Sequence, residues 1–174
     1  MPGGRITVAL DTGSIGAGFR ALQQLGHDTQ PMMRAIGVGL VETTHRRFES
    51  GRDPEGQPWK GWSRSYSAVT ESRSLLRGKS GNSGLMGSIT FAADARSVMV
   101  GSNKIYAGVH QFGATIVPKS RKALVFHLGS RVVFAKKVTI PARPYLGFGA
   151  ADRAVTLEVV HAELRARLLA RRAP

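Results

Sequence analysis

The spacing of apolar residues near the start of the chain predicts a helix. Its apolar positions share one helical face and are Ile15, Phe19, Leu22 and Leu25. Asp11, Thr12 or Ser14 can cap the start of this helix, and Gly26 is a residue type at which helices commonly end. We therefore expect one amphipathic helix before Gly26.

The longest helix is predicted directly after it. Asp28 or Thr29 can cap its start, Pro31 suits its first turn, and the pair Ser50-Gly51 marks its end. The apolar or buried positions that recur at helical spacing are Met33, Ile36, Leu40, Thr44 and Phe48. We expect this face of the helix to lie in the core.

Two segments of different character follow the long helix. Residues Gly51–Trp62 contain two prolines, three glycines and both tryptophans of the chain, so we expect an ordered loop with Trp59 and Trp62 buried against the long helix. A short helix is predicted at Ser65–Glu71. The stretch 72–84 is small, polar and basic, with no apolar periodicity, and we expect it to be mobile.

The pattern then changes to that of β structure. Two short strands are predicted at 87–92 and 97–102, joined by a turn at 93–96. Residues 104–113 predict one helical turn that ends at Gly113.

A basic hairpin is predicted next. Its strands are expected at 122–127 and 131–140, around the turn 128–130, and the second strand is expected to be long. Residues 115–123, which lead into it, are rich in basic and polar residues and are expected to be mobile.

The segment Val138–Gly149, with the sequence VTIPARPYLGFG, predicts a rigid connector. Pro141 and Pro144 fix their own φ angles and favour extended conformations in Ile140 and Arg143. The side chains that can anchor its exit on the core are Tyr145, Leu146 and Phe148. We expect this connector to set the direction of the last helix.

Asp152 is predicted to cap that last helix. Its apolar positions are expected at Val155 or Ala154, Leu157, Val160 or His161, Leu164 and Leu168. Helices at both ends and short strands between them predict an α+β fold, in which a small antiparallel sheet packs against the long N-terminal helix and the C-terminal helix. We expect a single domain over residues 1–174, because no repeat or internal boundary is visible.

The charge of the chain points to an anionic partner. It carries 25 Lys and Arg against 11 Asp and Glu, a net charge of +14, and its pI is near 11.4. Between Ser72 and Ala151 the only carboxylate is Asp94, whereas this stretch holds twelve Lys or Arg. Such a distribution is typical either of a solvated basic surface or of a protein that meets a polyanion or an acidic neighbour, and we favour the second.

The residues that would indicate an enzyme or a metal site are missing from the sequence pattern. The five histidines lie in separate predicted elements without paired-ligand spacing, and are His27, His45, His110, His127 and His161. There is no nucleophile-elbow motif, no complete phosphate-binding loop and no cysteine. We therefore expect no catalysis and no cofactor. No secretory signal is visible and no apolar run approaches the roughly 20 residues of a membrane span, so we expect neither export nor a membrane partner.

Four sequence blocks resemble, in the same order, the phage virion morphogenesis or tail completion proteins of tailed phages and Mu-like prophages. The blocks are Arg47–Ser63 (RFESGRDPEGQPWKGWS), Ser83–Phe91 (SGLMGSITF), Val100–Ala114 (VGSNKIYAGVHQFGA) and Ile140–Asp152 (IPARPYLGFGAAD). The structural positions within the blocks are Trp59, Trp62, His110, Phe112, Gly113, Pro141, Arg143, Pro144 and Leu146. Each block is short, and the ordered set is what makes the resemblance specific.

The resemblance implies a structural virion protein without catalytic activity. Proteins of this kind act late in assembly at the head-tail junction, as tail completion or neck subunits that form a ring around the DNA channel. The implied partners are other copies in a ring of about six, neighbouring neck, portal-side or tail-tube proteins, and double-stranded DNA that passes through without sequence specificity. The implied location is the virion, with the host cytoplasm during assembly.

The basic loops are the predicted contact surface in such a ring. The residues expected to face the DNA channel or an acidic neighbouring ring are Arg73, Arg77, Lys79, Lys119, Arg121 and Lys122. An alternative is a free, basic nucleic-acid-binding protein that uses the basic stretch together with the aromatic residues Phe126, Phe134, Tyr145 and Phe148 as contacts. A nuclease or cell-wall hydrolase is a third class, and the sparse carboxylates argue against it.

Overall fold

The computed structural model describes residues 28–70, 75–76 and 84–170. The helix predicted before Gly26 lies outside these residues, as does most of the stretch 72–84. The helices are α1 (Gln30–Ser50), α2 (Arg64–Ser67), α3 (Ala107–Phe112) and α4 (Ala150–Ala170), and a 3₁₀ turn spans Met86–Ser88. The strands are β1 (Ile89–Ala93), β2 (Val98–Ser102), β3 (Ala114–Ile116), β4 (Leu124–Leu128), β5 (Arg131–Ala135) and β6 (Val138–Ile140).

This arrangement is the α+β fold that the sequence predicts. Helix α1 packs against α4 on one side and against the β1–β2 pair on the other. One cluster of buried residues lies around the C-terminal half of α1 and contains Phe48, Trp59, Leu85, Met86, Ile89, Ala107, Tyr145 and Leu146. A second lies around its N-terminal half and contains Met32, Met33, Ile36, Leu40 and Val160. The long helix therefore connects both parts of the core.

Helix α1 forms where the sequence predicts it. The Asp28 carboxylate accepts a hydrogen bond from the Gln30 backbone N–H, and Gly51, with a φ of 65°, donates its N–H to the Arg47 carbonyl. All five predicted core positions of this helix are buried. Gly37 lets the helix approach β1 closely, because a Cβ at this position would lie 2.3 Å from the Phe91 ring.

The strands form three two-stranded antiparallel ladders. Two of them, β1–β2 and the hairpin β4–β5, were predicted from the sequence. The third joins β3 to β6 and centres on Thr115 opposite Thr139. The predicted long strand 131–140 is therefore wrong: the chain leaves the hairpin at Lys136-Lys137, because its two halves pair with different partners.

Helix α4 corrects the prediction in two respects. It begins at Ala150, so Asp152 lies within the first turn and accepts a hydrogen bond from the Gly149 backbone N–H instead of preceding the helix. Its most buried side chains are Asp152, Thr156 and Val160, whereas the predicted core residue Leu157 is exposed. The predicted stripe missed the two polar members: Asp152 bonds to Thr43 and Arg47 of α1, and the Thr156 hydroxyl donates to the Asp152 carbonyl.

The remaining predicted positions of α4 differ in burial. Val155 and Leu164 are half-buried, His161 is exposed, and the side chain of Leu168 lies outside the described part.

Helix α2 is shorter than the predicted Ser65–Glu71, and α3 ends at Gly113 as predicted. No helix within the described ranges is long and apolar enough to cross a membrane.

Candidate functional site

The connector between β6 and α4 is anchored by a fully buried tyrosine. The Tyr145 ring lies 5.1 Å from the Phe48 ring, measured between centroids, and its hydroxyl donates to the Ala107 carbonyl at 3.1 Å. Burial raises the pKa of Tyr145 to about 12. The hydroxyl therefore remains a neutral hydrogen-bond donor, and the connector is fixed to α1 and α3 at once.

A single buried amide holds the backbone of the same segment. Gln111 accepts hydrogen bonds through its Oε1 atom from the backbone N–H groups of Tyr145 and Leu146, both at 3.0 Å. Its Nε2 atom donates to the Leu146 carbonyl at 2.8 Å. Three backbone groups that would otherwise be buried without partners are thereby satisfied. Sequence reasoning did not identify Gln111, because nothing in its local pattern distinguishes it from a surface glutamine.

Arg143 joins the connector to the tryptophan loop. Its side chain is buried, and it donates from Nε to the Lys60 carbonyl at 2.7 Å and from Nη2 to the Gly61 carbonyl at 2.9 Å. Its own backbone N–H donates to the His110 carbonyl at 2.8 Å. Burial lowers the pKa of Arg143, although the two carbonyl acceptors suit its charged form. Arg143 therefore links the tryptophan loop, the connector and α3 through hydrogen bonds.

The two tryptophans of the loop differ in environment. Trp59 is only 7% exposed, meets Phe48 edge-on at 5.6 Å between centroids, and donates from Nε1 to the Pro144 carbonyl at 2.8 Å. It is buried against the long helix as predicted. The same prediction is wrong for Trp62, which is half-buried with its ring 5.9 Å from Tyr66 and packs against the short helix α2.

A buried ion pair joins α1 to the start of α4. Arg47 donates from Nη2 to Asp152 Oδ2, and the carboxylate also accepts from the Thr43 hydroxyl and from the Gly149 backbone N–H. The Nη1 atom of Arg47 donates to the Tyr145 carbonyl at 3.0 Å. Because each charge has several hydrogen-bond partners, the cost of burying the pair is compensated, and the pair links the two long helices. From the sequence, Asp152 was expected only to cap α4, and Arg47 was not singled out.

His110 and Gly113 complete the junction on the α3 side. The Nδ1 atom of His110 is buried without a hydrogen-bond partner among the described residues, and its ring meets Tyr106 edge-on. Burial, and secondarily the charge of Arg143, lower the pKa of His110. Gly113 has a φ of 74°, and a Cβ there would lie 2.8 Å from the Ala142 nitrogen. Phe112, in contrast, is 68% exposed.

The predicted basic contact residues are brought together only in part. Lys119, Arg121 and Lys122 are exposed on the link between β3 and β4, and none forms an ion pair with a described residue. Arg73, Arg77 and Lys79 lie outside the described residues. Within the described ranges no group of three or more potential metal ligands occurs. The described structure therefore combines a connector held by internal hydrogen bonds with an exposed cationic surface.

Comparison with known proteins identifies the family of this chain. A model of the phage virion morphogenesis family matches residues 10–165. The chain belongs to this family. The family resemblance read from the four sequence blocks is therefore confirmed, and a role in phage structure or assembly follows.

Relatives of known name agree with the family assignment. The chain is 31% identical over 132 residues to the putative capsid assembly protein G of Escherichia phage Mu, covering 73% of this chain and 75% of that protein. It is 29% identical over 141 residues to the Mu-like prophage FluMu G protein 2 of Haemophilus influenzae, covering 79% and 82%. FluMu G protein 1 of the same organism is 24% identical over 148 residues, covering 83% and 84%. No solved structure matches the chain.

Proposed function

We propose that this member of the virion morphogenesis family is a structural subunit of the head-tail junction, required to join heads to tails. It acts as a tail completion or neck protein and carries no catalytic activity. Membership of the family supports the assembly role, and the capsid assembly protein named in phage Mu is similar over most of its length. The virion is its final location, after assembly in the host cytoplasm.

The observation that carries the proposal is the way in which side-chain hydrogen bonds fix the connector between β6 and α4, and with it the position of α4 relative to α1. Arg47, Gln111 and Arg143 hold the connector by side-chain hydrogen bonds to its backbone or to the loops beside it. A subunit of a closed ring must present two surfaces at a fixed angle, because angular errors accumulate around the ring. A closed ring is the arrangement that such a subunit would serve, and about six copies is the number that the family resemblance implies.

The cationic link between β3 and β4 is the proposed partner-facing surface of that ring. Lys119, Arg121 and Lys122 are exposed and unpaired among the described residues, and subunits in a ring would bring these links close together. Phosphates of passing double-stranded DNA, or acidic side chains of a neighbouring neck or tail-tube ring, would offset their repulsion. Contacts with phosphates alone require no particular DNA sequence.

A disrupted gene in an inducible lysogen tests the proposal. We expect filled heads and free tails, or tails of aberrant length, in electron micrographs of the lysate, and restoration of joined particles when the gene is supplied from a plasmid. Mass spectrometry of purified wild-type particles should detect peptides of the protein. Normal infectious particles from the disrupted strain would contradict the proposed function, and repeated absence of its peptides would limit it to an assembly factor.

A further inference from the structure

The hairpin β4–β5 has the sequence of strands that are covered on both faces. Leu124–Phe126 and Val132–Ala135 are unbroken apolar runs, without the alternation of apolar and polar residues that a half-exposed strand shows. Unbroken runs are typical of strands buried on both sides. The sequence therefore predicts that something packs on each face of the hairpin.

Among the described residues, nothing covers one of these faces. The half-buried face carries Leu124, Phe126, Leu128, Val133 and Ala135. On the other face Val125 lies opposite Phe134, and His127 lies opposite Val132. Val125 is 53% exposed, Val132 is 50% exposed and Phe134 is 71% exposed. These side chains form one continuous apolar surface, since opposite residues in an antiparallel pair are near neighbours.

The hairpin also lies apart from the core. Neither cluster of buried residues includes a residue of β4 or β5. Within the described ranges each of the two strands pairs only with the other, so both outer edges of the ladder are free. A two-stranded hairpin alone is marginally stable in water, because it buries little apolar surface. Covering the open face would therefore stabilise the hairpin as well as the complex.

The surroundings of the open face have one sign of charge. The basic residues next to the two strands in sequence are all exposed and are Lys119, Arg121, Lys122, Lys136 and Lys137. None has an ion-pair partner among the described residues. The sequence contains no acidic residue between Asp94 and Asp152. An apolar centre surrounded by charged residues has the composition of a protein-binding surface.

We propose that the open face of β4–β5 is a docking surface for an acidic protein of the virion, which covers Val125, Val132 and Phe134 and places carboxylates against the surrounding lysines and arginines. The inference rests on the proposed function, because the partner is a neighbouring component of the particle. A symmetric contact with a second copy would place cationic rims against each other on chains of net charge +14. Duplex DNA would satisfy the cations and leave the apolar centre uncovered.

Site-specific cross-linking tests this surface in the assembling particle. A photoreactive benzoyl-phenylalanine replaces Phe134 in the full-length protein, and the control replaces Val38, which is also exposed but lies on α1. Induced cells are irradiated late in assembly, and the cross-linked peptides are sequenced. We expect the Phe134 probe to label an acidic segment of another virion protein and the Val38 probe not to do so. A cross-link to a second copy, to DNA or to residues 1–27 of the same chain overturns the proposal, as does the absence of any cross-link.

Charge reversal separates an acidic partner from an apolar one. Lys136→Glu with Lys137→Glu should lower the yield of the Phe134 cross-link about fivefold or more, because rim charges govern the rate of encounter. Arg34→Glu with Arg165→Glu makes the same change in net charge on exposed residues of α1 and α4 and should leave the yield unaltered. An equal yield from both double variants contradicts the acidic partner.

A second readout does not depend on cross-linking. Phe134→Ser should leave the thermal midpoint of the purified protein within a few degrees of the wild-type value, because this side chain is outside the core. The same variant should lower the yield of infectious particles about tenfold or more through loss of a central interface residue. Val38→Ser is the matched control and should not lower it. Undiminished yield from Phe134→Ser overturns the inference, whereas normal particles from the disrupted gene would overturn the proposed function itself.

Discussion

Trp59 connects the loop, the long helix and the connector through one side chain. It loses both its ring contact with Phe48 and its hydrogen bond to the Pro144 carbonyl when it is shortened. Trp59→Ala should therefore lower the free energy of unfolding by about 3–5 kcal/mol, measured by urea denaturation. Trp62→Ala is the control and should cost clearly less, because Trp62 is only half-buried. Equal losses for the two variants would contradict the assignment of Trp59 to the core.

The ion pair between Arg47 and Asp152 predicts strong coupling between two distant residues. Arg47→Met leaves a buried carboxylate without its cation and should cost about 3–5 kcal/mol of unfolding free energy. Asp152→Asn should also destabilise, because the arginine then lacks its counter-charge. The double variant should be less unstable than the sum of the two losses, since neither charge is left alone. Additive losses in urea denaturation would show that the two side chains do not interact.

The environment of His110 predicts that the stability of the fold decreases as the pH falls. Folding lowers the pKa of this residue below its ordinary value of 6.5, because the ring is partly buried and close to Arg143. The unfolded chain thus binds the proton more readily. The contribution of His110 is complete above the unfolded pKa, and it is lost as the pH falls through that value toward the lower folded pKa.

Urea unfolding midpoints from about pH 8 to about pH 5 can measure this effect. The difference in unfolding free energy between wild type and His110→Gln should shift against the wild type as the pH falls. A difference that stays constant over this range would show that His110 does not titrate differently in the folded and unfolded states.

At the scale of secondary structure elements, we expect the cationic link between β3 and β4 to contribute to partner binding but not to the stability of the fold. Exchange of Lys119, Arg121 and Lys122 for alanine should change the unfolding free energy by roughly 0.5 kcal/mol or less, because these side chains are exposed. The yield of infectious particles should fall strongly. Alanine at Arg34, Arg96 and Arg165 removes the same charge from other exposed positions and should preserve the yield. An unfolded triple variant would instead give the link a structural role.

The elements that the sequence predicted well are those with dense local patterns. Helix α1 has buried positions at regular helical spacing, and the turns of the β1–β2 and β4–β5 pairs connect strands that are adjacent in sequence. The β3–β6 ladder was missed because each strand has only three residues and pairs across a long stretch of chain. Such short strands depend on tertiary context.

The same distinction applies to the candidate site. Trp59, Arg143 and Leu146 were identified because large or charged residues next to prolines and glycines stand out in a sequence. Gln111 was missed, and Asp152 was expected only as a helix cap, since their other roles come from hydrogen bonds to residues far away in the chain. Polar residues buried in this way have no local pattern, and only the folded backbone shows which groups they must satisfy.

At the scale of the whole molecule, net charge controls association. Each copy has a net charge of +14, and the basic residues in and beside the hairpin β4–β5 contribute part of it. We expect the purified protein to be largely monomeric at low ionic strength, because copies repel, and to associate more readily as salt screens the repulsion. Sedimentation velocity across a salt series measures this. A stable ring at low salt would show that the subunit contact overcomes the charge without a partner.

The connector between β6 and α4 has a consequence for the order of events in folding. Gln111 bonds to Leu146, Trp59 to Pro144 and Arg47 to Asp152, contacts that span 35, 85 and 105 residues of the chain. Contacts of such sequence separation form late, because they close large loops. A ribosome-bound or truncated chain that ends before Arg143 cannot make any of the three. Only chains that have been synthesised past Asp152 can therefore make all three contacts, so a chain that stops earlier lacks hydrogen bonds that fix α4 relative to α1.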